Sequence, residues 1–484
     1  MISEEISRLP GAPRLVWGTL PRLGIVLLAL GLVAILYDRP LALSSLAFAL
    51  AALAAALFDR RLVVPMVVLA LPLEITKEIF PFLYASESAT SPDLRVSIVD
   101  FGRLAILFAA LLWAVRAPPN WLALLPRSTL FLPLALIFAL YVLSLPNTPN
   151  LSAGGRETLH LAFNVGFFLL IPLFVRDRQT LRWCLLALVV SGLALALAAV
   201  FQQAADVYFW NKGLGQGGAP YRNATFADPH HFARFLNIVI AVSIPLFFVW
   251  TRRVRHFLVV PTLGLCALAL LFSSSRSGWL TTVLLLPFLT LFLPLDRRYK
   301  VAFGVGLALA AVGMAGLATV GGGAFLNRLE TFRQGVWVIG ARYYLIQAGW
   351  QMFLDNPLFG VGVGGFQESI LGPYRSFIWL GHMTTLSHTA LVTTIAELGL
   401  LGLVAIALLF YRWGALCVRL YRQASWEDRA VAVGLAGAFL AILISSQAEG
   451  RFLEDPYLWL VFGLGVALER LRATDRPLAE ATMP

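Results

Sequence analysis

Charge is scarce in this chain. Asp, Glu, Lys and Arg make up 13% of its 484 residues, against about 25% in an ordinary soluble domain, which excludes an ordinary soluble enzyme. Cysteine is scarcer still. Cys184, Cys266 and Cys417 lie in or beside apolar runs and lack metal-ligand spacing, so neither a disulfide framework nor a zinc site is indicated. No H-E-x-x-H and no D-x-D occurs anywhere. A dedicated metal site is therefore not expected, and no cofactor is implied. The short alternating strands of a β-barrel are missing too. A cleavable signal peptide is not expected, because the first apolar run starts near Gly24 and no A-x-A-like site follows before more membrane sequence.

What fills the chain is apolar: 59% of it is hydrophobic. Runs of roughly 17 to 22 residues recur along nearly the whole length, each near the span of a bilayer core. Spans are expected near 23–37, 41–57, 62–74, 99–115, 129–145, 158–175, 183–203, 232–250, 257–272, 279–295, 301–320, 389–411, 430–446 and 457–468. The first two could form a re-entrant pair and the last is short, so the expectation is an all-α polytopic integral membrane protein with about 12–14 transmembrane helices. Three parts follow: a first bundle over 1–320, a large folded loop over 321–388, and C-terminal transmembrane helices with a short tail over 389–484.

The net charge of +11 does not point to nucleic acid, because the basic residues punctuate the apolar runs at alternate connections. FDRR, VRAPPNWLALLPRS, VRDRQTLRW, TRRVRH, LDRRYK and YRWGALCVRLYRQASWEDR assign that face, and both termini, to the cytoplasm. The longer connections 75–98, 204–231 and 321–388 then face the other way. The last carries VWVIGARYYLIQAGWQMFLDNP, a helix stopped at Asn356-Pro357.

His160, His230, His231, His382 and His388 fall on the non-cytoplasmic face, as do Arg156, Arg222, Arg276, Arg342 and Arg375, all exceptions to the cytoplasmic bias. Arg276 is the sharpest, held in the short connection FSSSRSGWL. An arginine near mid-membrane costs about 2.5–3.5 kcal/mol on the insertion scale, so one at a tight turn implies a partner. Guanidinium groups bind phosphate bidentately and stay charged; the plainer alternative is a snorkelling anchor at a helix end. In YRNATFADPHHFARFLN, Asp228-Pro229 reads as a helix start with Asp228 as N-cap. The adjacent His230 and His231 point different ways on a helix and make a poor metal pair. GVGVGG, residues 360–365, matches a dinucleotide fingerprint but lacks a βαβ unit and reads as a tight turn. His388 opens an apolar helix in SHTALVTTIAELGLLG, where an ionisable side chain marks a functional site. Glu397, about 900° further round an ideal helix, faces the opposite side and reads as structural.

Taken in order, SSSRSGWL, RYYLIQAGW, NPLFGVGVGGF and SHTALVTTIAELGLLG resemble the bacterial O-antigen ligase and O-antigen polymerase superfamily over about residues 220 to 405. Two positions depart from its usual pattern, where His230 and Thr389 replace asparagines. The resemblance implies a C-type glycosyltransferase fold in the bacterial inner membrane with a periplasmic active site. It implies a metal-independent, inverting transfer of a glycan from undecaprenyl diphosphate to a sugar hydroxyl of lipid A–core. His388 would be the general base, and Arg222 and Arg276 would hold the donor diphosphate. Arg342, His382 and His230 are further substrate-binding candidates. Partners would be the lipid-linked donor, lipid A–core and membrane lipids, with no nucleic acid. Polymerisation of lipid-linked repeat units is the alternative, and a polysaccharide transporter ranks behind both.

Overall fold

The structure, a computed structural model, describes residues 59–73, 128–207, 222–226, 228–306, 336–378, 387–422, 425–450 and 452–481, together with 50, 51 and 54. The expected spans near 23–37 and 99–115, nearly all of 41–57 and most of 301–320 lie outside the described residues, as do the 75–98 connection and His382.

Twelve helices concern the site and its supports: α1 (Arg60–Ala70), α2 (Phe131–Ser144), α3 (Leu151–Phe174), α4 (Arg178–Ala205), α5 (Pro229–Val249), α6 (Arg252–Phe272), α7 (Arg276–Phe292), α8 (Val336–Asp355), α9 (Phe366–Leu371), α10 (Ala390–Arg422), α11 (Trp426–Glu449) and α12 (Pro456–Ala481). Among the described residues no strand occurs, and six helices (α3, α4, α5, α6, α10 and α11) are long and apolar enough to cross a membrane. This is an all-α polytopic membrane protein. The helix starts follow local chemistry. Asn150, Asp177, Asp228, Ser275 and Ser425 cap α3, α4, α5, α7 and α11 by accepting backbone N–H groups of the first turn, which the helix itself leaves without partners.

The central helix is α5. Every residue from Phe232 to Leu246 is buried, as expected of a helix that is largely apolar all round, with Arg234, Asn237 and Ser243 as its polar exceptions. It runs along α11 and also packs on α4, α6 and α7. Asn237, fully buried, ties α5 to α7: its amide nitrogen donates to the carbonyls of Ala233 and Gly278, each at 3.0 Å, and its oxygen accepts from Thr282 Oγ1 at 2.7 Å. A satisfied amide of this kind fixes register where apolar contacts alone would allow sliding. It places the first residue of α7, Arg276, beside the first turns of α5.

Helix α10 is interrupted at Gly399, whose φ of 62° and ψ of −155° are open to glycine but strained for other residues. The 357–366 loop fills the break. Leu400 N–H donates to Pro357 O at 2.8 Å and Leu401 N–H to Leu358 O at 3.4 Å, while the carbonyls of Ala396 and Glu397 accept from Val361 and Gly362 at 2.9 and 3.1 Å. The two hydrogen bonds lost from the helix are thus replaced by four to the loop. Irregular backbone at membrane depth persists only with such replacement. The GVGVGG stretch is the turn expected from its glycines. The Glu397 carboxylate completes it, accepting from Gly364 N–H at 3.0 Å and Phe366 N–H at 3.1 Å. Its structural reading holds.

Candidate functional site

The site gathers at one end of α5. Asp228 caps that end through His230 N–H at 2.6 Å, so the two histidines enter the first turn. The His230 ring is held from α7: its Nδ1 lies 2.7 Å from Ser275 Oγ and 3.3 Å from Ser277 Oγ. Ser275 also accepts from Gly278 N–H at 3.2 Å. One hydroxyl therefore caps the helix that starts with Arg276 and fixes an imidazole on its neighbour. The charges of Asp228, Arg342, His231 and Arg276 all act on that imidazole.

His388 lies two residues ahead of α10 and is half-buried. Burial holds its pKa below the usual 6.5; the positive charge of Arg342 lowers it further and Asp228 opposes the shift. The ring is therefore held toward its neutral form, which is the form that can accept a proton. Arg342, on α8, donates from Nη2 to Ala448 O at 3.1 Å, bringing its charge between α11 and His388.

Of the residues expected from sequence, His388, Arg342, His230 and Arg276 thus share one electrostatic neighbourhood. Arg222 is placed differently. Its backbone N–H donates to Phe272 O at 3.4 Å, so its segment meets the α6–α7 turn. Its guanidinium, however, is engaged by Asp206 Oδ1 at 2.6 Å and Gln203 Oε1 at 2.9 Å at the end of α4. His382 lies outside the described residues.

Sequence reasoning missed a buried ionic cluster directly beneath these residues. Arg234, one turn beyond His230 on α5, contacts Glu449 at the end of α11 and Asp455 Oδ2 at 2.6 Å, ahead of α12. The side chains of all three are shielded from solvent, and His231 Nε2 lies 3.7 Å from Glu449 Oε2. Asp455 also caps α12 through Tyr457 N–H at 2.8 Å. One guanidinium thus faces two carboxylates. The available signal was Arg234 itself, an arginine inside an otherwise apolar helix.

An all-helical membrane bundle with imidazoles and guanidiniums gathered at one end of its central helix defines the class: a polytopic membrane protein with a cluster of ionisable side chains at that end. Residues 261–407 match the family model described as O-antigen ligase. That stretch runs from α6 through Arg276, Arg342 and His388 into α10, and the match over it supports the resemblance to the O-antigen ligase and polymerase superfamily. No curated protein matches the chain.

Proposed function

We propose that this protein transfers a glycan from undecaprenyl diphosphate to a sugar hydroxyl of lipid A–core, on the periplasmic side of a bacterial inner membrane, with inversion and without metal. One observation carries the reading. The charges of Asp228 and Arg342 act on both His388 and His230, which come from distant parts of the chain, and the charge of Arg276 acts on His230 as well. Glycosyl–diphosphate cleavage needs a base for a weakly acidic hydroxyl and cations for a highly charged leaving group, and both stand here.

In this mechanism the neutral His388 takes the acceptor hydroxyl proton as that oxygen attacks the anomeric carbon. The bond from that carbon to the diphosphate oxygen breaks with its electron pair on the departing undecaprenyl diphosphate. Fixed cations aimed at that developing charge supply the electrostatic stabilisation, as oxyanion donors do elsewhere. Arg276 is the first of them. The second role passes from Arg222 to Arg342, because Asp206 and Gln203 already engage the Arg222 guanidinium while Arg342 reaches the His388 side. A positioned base of suitable pKa contributes about 10²–10⁴-fold.

The test is transfer from a purified polyprenyl-diphosphate glycan, with EDTA and without ATP, to lipid A–core or to a second lipid-linked repeat unit. Transfer to lipid A–core is the expected result. Extension of the lipid-linked repeat alone makes the protein a polymerase, and loss of activity restored by Mg²⁺ refutes the role given to the arginines. Retained anomeric configuration rules out single displacement.

A further inference from the structure

Four consecutive residues at the end of α11 each touch a different part of the candidate site. Gln447 Oε1 accepts from Leu391 N–H at 3.4 Å, at the start of the helix that follows His388. Ala448 O accepts from Arg342 at 3.1 Å. Glu449 contacts Arg234 and lies beside His231, and its charge also acts on Arg342. Gly450 closes the helix in the left-handed conformation, with φ of 77°, against the backbone of Ser387 and His388. A Cβ added there would stand 2.0 Å from Ser387 O and 3.3 Å from His388 Cα. The side chain is absent where the His388 segment needs the space.

We propose that residues 447–450 are the positioning element of the site, which sets His388 and Arg342 against each other through one turn of backbone. The inference rests on the roles proposed above for those two residues, but it concerns where they stand rather than what they do. The turn is itself anchored: Glu449 is drawn to Arg234, and Arg234 is fixed by Asp455, so α5, α11 and the start of α12 meet at one buried ion cluster. The helix end therefore cannot shift without exposing an uncompensated charge. A rigid anchor on packed helices, carrying groups that lie outside them, is what holding a reactive geometry requires.

The experiment is a pair of double-mutant cycles on the full-length purified protein, with a second readout that does not depend on activity. Gly450→Ala should lower kcat on the order of 10²-fold with the donor KM little changed. In a His388→Ala background the same substitution should change the rate by no more than about twofold, because two changes acting through one group do not add. Carbethoxylation of His388, followed by mass spectrometry, should rise severalfold in Gly450→Ala. Glu449→Gln, which adds no heavy atom, is scored in the same way against Arg342→Ala, and that cycle alone decides if Gly450→Ala cannot be purified folded. Additive losses in the scored cycle, or an unchanged rate together with unchanged His388 reactivity, overturn the proposal. Changed His388 reactivity with normal transfer keeps the positioning and removes His388 as the base.

Discussion

Glu397 and Glu449 are both half-buried in apolar helices, and their surroundings are opposite in kind. Glu397 sits beside the break in α10, and backbone N–H groups of Gly364 and Phe366 surround its carboxylate. Glu449 sits at the end of α11, and its neighbours are Arg234, His231 and, through the adjoining carbonyl, Arg342. Both are costly to bury, and by that measure alone they are equivalent. Their partners separate them. A carboxylate satisfied by main chain holds a loop in place, whereas one held by a guanidinium beside an imidazole joins helices through charge.

The sharpest test of that contrast compares rate with stability. Arg276→Ala and His388→Ala should each lower turnover by about 10²–10³-fold while the purified protein melts within a few degrees of wild type. A folded His388→Ala variant with a normal rate would end its assignment as the base. Glu397→Ala should do the reverse. It orphans two part-buried N–H groups at up to about 1–3 kcal/mol each, so the melting temperature drops while turnover per folded molecule stays near wild type. A large rate loss in a Glu397→Ala protein of unchanged stability would erase the difference between the two glutamates.

The pH profile sharpens the comparison further. A base must be neutral, so the rate should rise with pH through the His388 pKa and then level off. Burial and Arg342 hold that pKa below the ordinary 6.5, which extends the plateau to more acidic pH. Removing the positive charge in Arg342→Ala should raise the pKa and move the acid limb upward. Asp228→Asn, which keeps a good N-cap but removes a negative charge, should move it downward. Shifts of the same sign in both variants would show that the limb belongs to another group. The smallest effect is expected at Asp206→Asn. Its carboxylate is 79% exposed where it meets Arg222, and such a pair contributes about 0–1 kcal/mol. A rate loss larger than the stability loss in that variant would return Arg222 to the diphosphate.

Much of the scaffold was legible in advance. The expected spans near 158–175, 183–203, 232–250, 257–272, 389–411 and 430–446 overlap the six helices long and apolar enough to cross a membrane, and those near 62–74, 129–145, 279–295 and 457–468 overlap other helices. Asp228 caps α5, and the 360–365 glycines form a turn, because cap chemistry and left-handed backbone are properties of a few adjacent residues. Boundaries were harder. Helix α3 begins at Leu151, well ahead of the expected span, because Asn150 caps it by accepting from Ala153 N–H at 3.1 Å. The polar stretch that follows then winds as helix although it is not apolar. The last helix continues to Ala481, past the point where its hydrophobic run ends. Hydropathy marks what suits lipid and is silent on helix that continues beyond it.

At the site, sequence picked out His388, Arg276, Arg342 and His230 as single unusual residues, each conspicuous against apolar surroundings or the positive-inside bias. It did not pair Arg342 with Ala448, 106 residues away, and it did not show that Asp206 engages Arg222 or that Arg234 lies between Glu449 and Asp455.

By itself, then, the sequence determined an all-helical membrane bundle, the starts of its helices and a short set of ionisable residues out of keeping with lipid. Those depend on hydropathy and hydrogen bonding within a turn or two of chain, which neighbouring residues carry. Which charges meet, which carboxylate is held by main chain and which by a guanidinium were decided only by tertiary packing. Electrostatic partnership depends on distance in space, and in a bundle that distance is set by how α5, α11 and the broken α10 come together.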